Sequence, residues 1–173
     1  LEQKDADPEL RAEALRRLGD LNLEVGELER IEKEVSAVDR SGAEAIELYT
    51  SLLKAYPDYP RNDQVLYQLA RAYETTGQPE KALATLDQIV ERYPELVQRD
   101  EVDFRRGEIL FSNKRYADAE KAYKRALDEG PDGAFYSQSL YKHGWSLFKQ
   151  GQNEESLPSF ARVLDANLTD PAD

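Results

Sequence analysis

The sequence predicts an all-α fold: a solenoid of about four helix-turn-helix repeats, the first carrying an insertion. Three observations lead there. Apolar residues recur at helical spacing in paired stretches, split by glycine and closed by proline. The paired stretch returns at a fixed interval along the chain. No segment alternates apolar and polar residues for long enough to make a strand.

The clearest unit is Gln64–Pro94. Leu66, Leu69, Ala70 and Tyr73 fall on one helical stripe, and Gly77 breaks it, because glycine readily takes the left-handed turn conformation. Ala82, Leu86 and Ile89 form a second stripe, stopped by Pro94. Gly107 sits 37 residues after Ala70, and Gly144 sits 37 after that. Leu110, Ala119, Tyr123, Ala126 and Pro131 follow Gly107 at the same offsets, and Leu147, Gly151, Phe160 and Val163 follow Gly144. Upstream, Leu15, Leu18, Gly19 and Gly26 repeat the first stripe, while Ala45, Tyr49, Leu52 and Pro57 repeat the second. From Gly26 to Ala45 is 19 positions, against 5 from Gly77 to Ala82, so this unit holds a 14-residue insertion, Glu27–Arg40.

The elements follow in order. Leu1–Asp7 is polar and expected to be poorly ordered. Asp7-Pro8 suits a helix start, giving a first helix Glu9–Val25. Leu28, Ile31 and Val35 keep helical spacing, so the insertion is expected to be partly helical, either extending the first helix past Gly26 or folding back. A break at Asp39–Gly42 leads to a second helix, Ala43–Tyr56. The third starts at a cap on Asn62 or Asp63 and runs to Thr75; the fourth runs from Pro79 to Tyr93. Val97–Phe111, Tyr116–Glu129, Ala134–Gln150 and Asn153–Ala166 complete the set, the last with Pro158 inside it, and Asn167–Asp173 reads as a disordered tail.

This spacing resembles the tetratricopeptide repeat (TPR), whose period is about 34 residues. Leu66, Leu69-Ala70, Tyr73, Ala82, Leu86 and Pro94 stand at its motif positions. Arg106 and His143 replace its Leu, Asp103 its first large residue, Lys114 its turn glycine, Ser156 its Ala and Leu168 its final Pro. The resemblance implies a right-handed α-solenoid with repeats at 8–57 (insertion 27–40), 63–96, 100–133 and 137–168. Ala45–Pro57, Leu66–Tyr73 and Ala84–Pro94 further resemble bacterial cell-envelope TPR scaffolds, which implies a periplasmic or outer-membrane-associated place, the alternative being the cytoplasm.

Composition narrows the chemistry. The 173 residues are 40% apolar with a net charge of −12. Lys and Arg are scattered among Asp and Glu, which argues against nucleic acid or an acidic membrane as the main partner. There is no Cys, hence no disulfide, thiolate nucleophile or cysteine metal site. With no Met at all, the chain is expected to be a processed product or a piece of a longer protein. The last helix is apolar on more than one side through Leu157, Phe160, Val163 and Leu164, so further repeats are expected after Asp173.

Enzymatic constellations are not found. The one histidine, His143, occupies a core position of its repeat, and acid–base catalysis would need positioned partners. No glycine-rich phosphate loop appears, and Asp100-Glu101 and Glu154-Glu155 read as helix starts. Asn167-Leu168-Thr169 matches a glycosylation acceptor by spacing alone. No catalytic residue, cofactor or metal is therefore expected. The resemblance implies instead a concave groove lined by the first helix of each repeat. Its first row of positions is Arg16, Tyr67, Phe104 and Tyr141. The second is Asp20, Arg71, Glu108 and Trp145, and the third is Leu23, Glu74, Phe111 and Phe148. Aromatic rings in a groove are the usual anchors of peptide binding, so the expected groove set is Arg16, Tyr67, Arg71, Phe104, Phe111, Tyr141, Trp145 and Phe148. The competing expectation for Phe104 and Phe148 is packing between repeats. Glu13, Arg16, Asp20, Gln64, Tyr67 and Arg71 supply only isolated cations, so the carboxylate clamp of some family members is not expected. The expected function is a non-catalytic scaffold for a protein or peptide. Self-association through Glu27–Arg40 or the last helix, and a regulatory arm of an enzyme whose catalytic domain lies elsewhere, are the alternatives.

Overall fold

The computed structural model describes residues 7–32, 40–96 and 98–168. Among these it contains eight α-helices, one short 3-10 turn and no strand. The helices are α1 (Pro8–Glu32), α2 (Arg40–Ala55), α3 (Asn62–Thr75), α4 (Pro79–Arg92), α5 (Arg99–Ser112), α6 (Tyr116–Ala126), α7 (Tyr136–Lys149) and α8 (Asn153–Leu168). They form two compact units, residues 1–89 and 90–173.

In the first unit α1 packs on α2 and α2 on α3. Ala12, Leu23, Ala45, Tyr49, Leu52, Val65, Leu69 and Ala72 make its core, with Leu15, Ile46 and Tyr73 against them. In the second unit α5 packs on α6, α6 on α7 and α7 on α8. Its buried residues include Val102, Leu110, Ala119, Tyr123, Leu140 and Leu147.

Three turns share one geometry. Gly77, Lys114 and Gly151, spaced 37 residues apart, all have positive φ, at 70°, 59° and 79°. After each, the next amide reaches back five residues: Gln78 to the Tyr73 carbonyl, Arg115 to Leu110 and Gln152 to Leu147, at 2.8–3.0 Å. This six-residue closure satisfies carbonyls that the helix end would leave bare. Lys114 therefore adopts the glycine conformation without being glycine.

A second recurrence sets helix against helix. A Cβ built on Gly19 would come within 2.6 Å of the Tyr49 ring, on Gly107 within 2.4 Å of Tyr123, and on Gly144 within 2.9 Å of Phe160. The glycine is a notch in one helix and the ring from its hairpin partner fills it. In the Ala70 repeat the corresponding filler is the smaller Leu86, also fully buried. Where the ring is tyrosine, its hydroxyl donates to the acid next to the glycine: Tyr49 to Asp20 at 2.7 Å and Tyr123 to Glu108 at 2.6 Å. Where the ring is phenylalanine, that neighbour is Trp145.

Several expectations are corrected. The first helix does not end at Val25: α1 runs through buried Gly26 to Glu32, the first of the two courses expected for the insertion. The rest of the insertion that precedes Arg40, residues 33–39, lies outside the described residues, as do Leu1–Ala6 and 169–173 of the expected tail. Asn167 and Leu168 belong to α8. Neither Asn62 nor Asp63 caps α3. Asn62 is buried instead, and its Nδ2 donates to the Tyr56 and Pro57 carbonyls at 3.0 and 2.8 Å, closing the turn behind α2. Helix α2 starts earlier than Ala43, at Arg40, and α5 later than Val97, at Arg99. The stretch after Ala126 tightens into the 3-10 turn Leu127–Glu129 before Gly130 at φ 87°.

Candidate functional site

The groove positions of the first unit hold charges that are already tied. Arg16 sends Nη1 to Asp20 Oδ2 at 2.7 Å and Nη2 to Glu13 Oε1 at 3.0 Å. Asp20 is engaged on its other oxygen by Tyr49. Arg71 pairs with Glu27 and donates to Gln68 Oε1. Tyr67 is half-buried. Leu23, expected on the groove, is 3% exposed and belongs to the core, which corrects that position. Glu13 collects Arg16, Arg17, Arg61 and the Tyr59 hydroxyl, which donates at 2.6 Å. The Arg16 hydrogen bond first, then those of Tyr59 and Arg17, hold the Glu13 carboxyl well below the usual carboxylate range.

The second unit is built differently. On α5, Phe104 lies between Tyr123 and Phe135, with ring centroids 5.9 and 5.1 Å away. Phe111 meets Tyr116 edge-on at 5.2 Å and carries the Lys142 ammonium 5.4 Å above its ring. Glu108 accepts from Tyr123 and, on its other oxygen, from Lys142 at 2.9 Å. Those two Lys142 contacts join the α5 face to the α7 face. Phe104 and Phe111 thus spend much of their surface on neighbours within the unit.

On α7 the rings turn outward. Trp145 is the hub: Tyr141, Phe148 and Phe160 surround it at 6.2, 5.5 and 5.9 Å, each near-perpendicular. Edge-to-face packing of this kind sets the positive ring edge against a negative ring face. Phe160 forms the floor, and its close seat depends on the bare backbone of Gly144. Tyr141 and Phe148 remain 47% and 46% exposed, and Lys149 holds its ammonium 5.9 Å from the Trp145 ring centre. Phe160 and Lys149 were not among the expected groove residues. The signal for Phe160 was present, since it stands where Tyr49 and Tyr123 stand.

His143 sits beside this cluster as a structural group. Its Nδ1 is 2.9 Å from Ser159 Oγ and its Nε2 3.4 Å from Glu120. Burial lowers its pKa, outweighing the pull of Glu120. Among the described residues no group of His, Asp and Glu has metal-binding geometry, and no helix is long and apolar enough to cross a membrane.

Comparison with known proteins agrees with the repeat pattern. Tetratricopeptide repeat models match residues 39–97, 67–134 and 138–167. BtubC (BKLC) from P. vanneervenii shares the fold with a TM-score of 0.74 at 17% identity, over 99% of this chain and 69% of that one. MamA from Desulfovibrio magneticus RS-1 follows at 0.69 and 15%, over 96% and 78%. The AMB-1 MamA gives 0.64 and 21%, over 94% and 95%. Likeness at this identity establishes fold alone, and comparison with curated protein sequences returns no match. The repeat models cover more than half of the sequence, the helix pairs fall where they match, and folds of this class serve as protein-interaction scaffolds; the chain belongs to the tetratricopeptide repeat family.

Proposed function

We propose that this chain is a non-catalytic scaffold that holds a peptide or protein segment on the α5–α7 face of its second unit. The observation that carries the reading is the ring cluster of Tyr141, Trp145 and Phe148 over Phe160. Large rings left half-exposed around a packed hub are the usual anchors of peptide recognition. Tyr141 and Trp145 are the contact residues, since each has a polar atom that tolerates a half-wet surface. Phe148 extends the patch. Phe104 and Phe111 stand on α5 of the same unit, and Arg16, Tyr67 and Arg71 hold the matching positions of the first unit.

Trp145 is the only tryptophan, so its emission reports on this face without a label. Peptides selected from a displayed library against the chain are expected to shift that emission on binding. Tyr141→Ala combined with Trp145→Ala is expected to weaken the selected peptides by roughly thirtyfold or more, in line with loss of a hot spot. Circular dichroism should stay helical. Retention of affinity by the double variant would overturn the reading.

The same reading extends to a periplasmic or outer-membrane-associated scaffold. It is supported by the resemblance of Ala45–Pro57, Leu66–Tyr73 and Ala84–Pro94 to envelope repeat proteins. Fractionation of the source cells with an antibody to the chain tests it, and recovery from the cytosol would refute it.

A further inference from the structure

Helix α1 is apolar on two opposite sides. One side, with Ala12, Leu15, Gly19, Leu23 and Gly26, faces the core of the first unit. The other carries Leu10, Leu18, Leu21, Val25 and Leu28, each between 45% and 65% exposed, with Ala14 exposed in line with them. Among the described residues no other helix leaves more than two large apolar side chains so exposed.

The spacing of this outer row identifies what fits it. From Ala14 the steps are four, three, four and three residues, to Leu18, Leu21, Val25 and Leu28. That is the seven-residue repeat of a helix seam, which is buried by another helix rather than by a strand or an irregular loop. The row continues for almost the whole length of α1.

The charges beside the seam select the partner. Arg17 and Glu24 stand seven residues apart on the same flank. Arg17 keeps 72% of its side-chain surface exposed while its Nε contacts Glu13, and Glu24 is exposed. An antiparallel copy sets Arg17 against Glu24, twice, by the two-fold symmetry. In that register Leu18 meets Leu21 and Ala14 meets Val25, while Leu28 falls opposite Arg11, one residue from Leu10. The four central residues of the row then each have an apolar partner.

We propose that the outer face of α1 is a homodimer interface, closed by the antiparallel α1 of a second copy of this chain. The interface shares no residue with the α7 aromatic cluster.

Sedimentation equilibrium of the chain should show a reversible rise with concentration from 19.7 kDa to twice that mass. Leu18→Gln with Leu21→Gln should hold the mass at one copy at every concentration. Its circular dichroism should match wild type, since both side chains are exposed. Arg17→Glu alone should weaken the dimer roughly tenfold, by turning two attractive contacts into repulsive ones. Arg17→Glu with Glu24→Arg should restore it, a recovery that a general loss of stability would not give. The chain has no cysteine, so Arg17→Cys mixed with Glu24→Cys offers only the intended thiols to a short bismaleimide. The mixed cross-link is expected to exceed either self-coupled product. A monomer at all concentrations, a dimer indifferent to Leu18→Gln/Leu21→Gln, or no rescue by the charge swap would overturn the proposal.

Discussion

At the level of single residues, the notch and ring pairs explain which positions tolerate change. Gly107→Ala would drive a methyl into the Tyr123 ring, where the present approach is already 2.4 Å from the ideal Cβ position. A thermal melt should show a loss of about 1–3 kcal/mol, the usual range for overpacking a filled core. Asp103 and Arg106 give a second test. In the neighbouring repeat the same two positions are Leu66 and Leu69. Asp103 is fully buried, with Arg106 at 2.5 Å and Arg99 at 3.6 Å. Removing one partner of a buried pair strands a charge, so Arg106→Leu should cost about 3–5 kcal/mol in urea unfolding. Asp103→Leu with Arg106→Leu restores the apolar pair and should return stability to near wild type or above it. The sequence flagged both residues as departures from the repeat. That they answer each other follows from their spacing of three on one helix face. The fate of Phe104 was not legible in the same way, because its partner Phe135 lies outside the repeat motif.

Among the elements, the turns are where sequence and structure diverge most usefully. Glycine permits a left-handed turn but does not compel one. Gly77 takes it because helical periodicity stops there. Gly26 does not, because Leu28 and Ile31 carry the period onward and α1 follows them to Glu32. Lys114 shows the converse, with φ 59° imposed by the closure between α5 and α6. A side chain in that conformation costs about 1–2 kcal/mol, part of which glycine returns as extra freedom of the unfolded chain. Lys114→Gly should therefore raise stability by up to about 1 kcal/mol, visible as a higher urea midpoint with unchanged slope. Helix existence was legible from the 37-residue recurrence. Helix ends were less so, since Asn62 looks like a cap in sequence yet bonds backward to the preceding turn.

For the whole molecule, the titrating groups bound a window of stability. Glu13 is held well below its ordinary range, and buried His143 is lowered as well. A lowered folded-state pKa contributes stability above the unfolded value and loses it as pH falls. Melting temperature should thus drop in acid, first below about pH 6.5 through His143 and again below about pH 4.3 through Glu13. Burial first, then a carboxylate neighbour, raises Tyr49 and Tyr123, whose contribution is complete below about pH 10 and fades above it. Glu13→Gln should flatten the lower acid limb, and Tyr123→Phe the alkaline one. A melting temperature independent of pH across these ranges would contradict the cited contacts. The glycine notches carry a mechanical corollary at this scale. A ring seated where any side chain would collide acts as a detent, fixing the axial position of the two helices it joins. Sliding by one residue would press Tyr49 onto Leu18 or Asp20, and Tyr123 onto Arg106 or Glu108. Each such hairpin therefore moves as one stiff piece, its two helices held in step by a single ring.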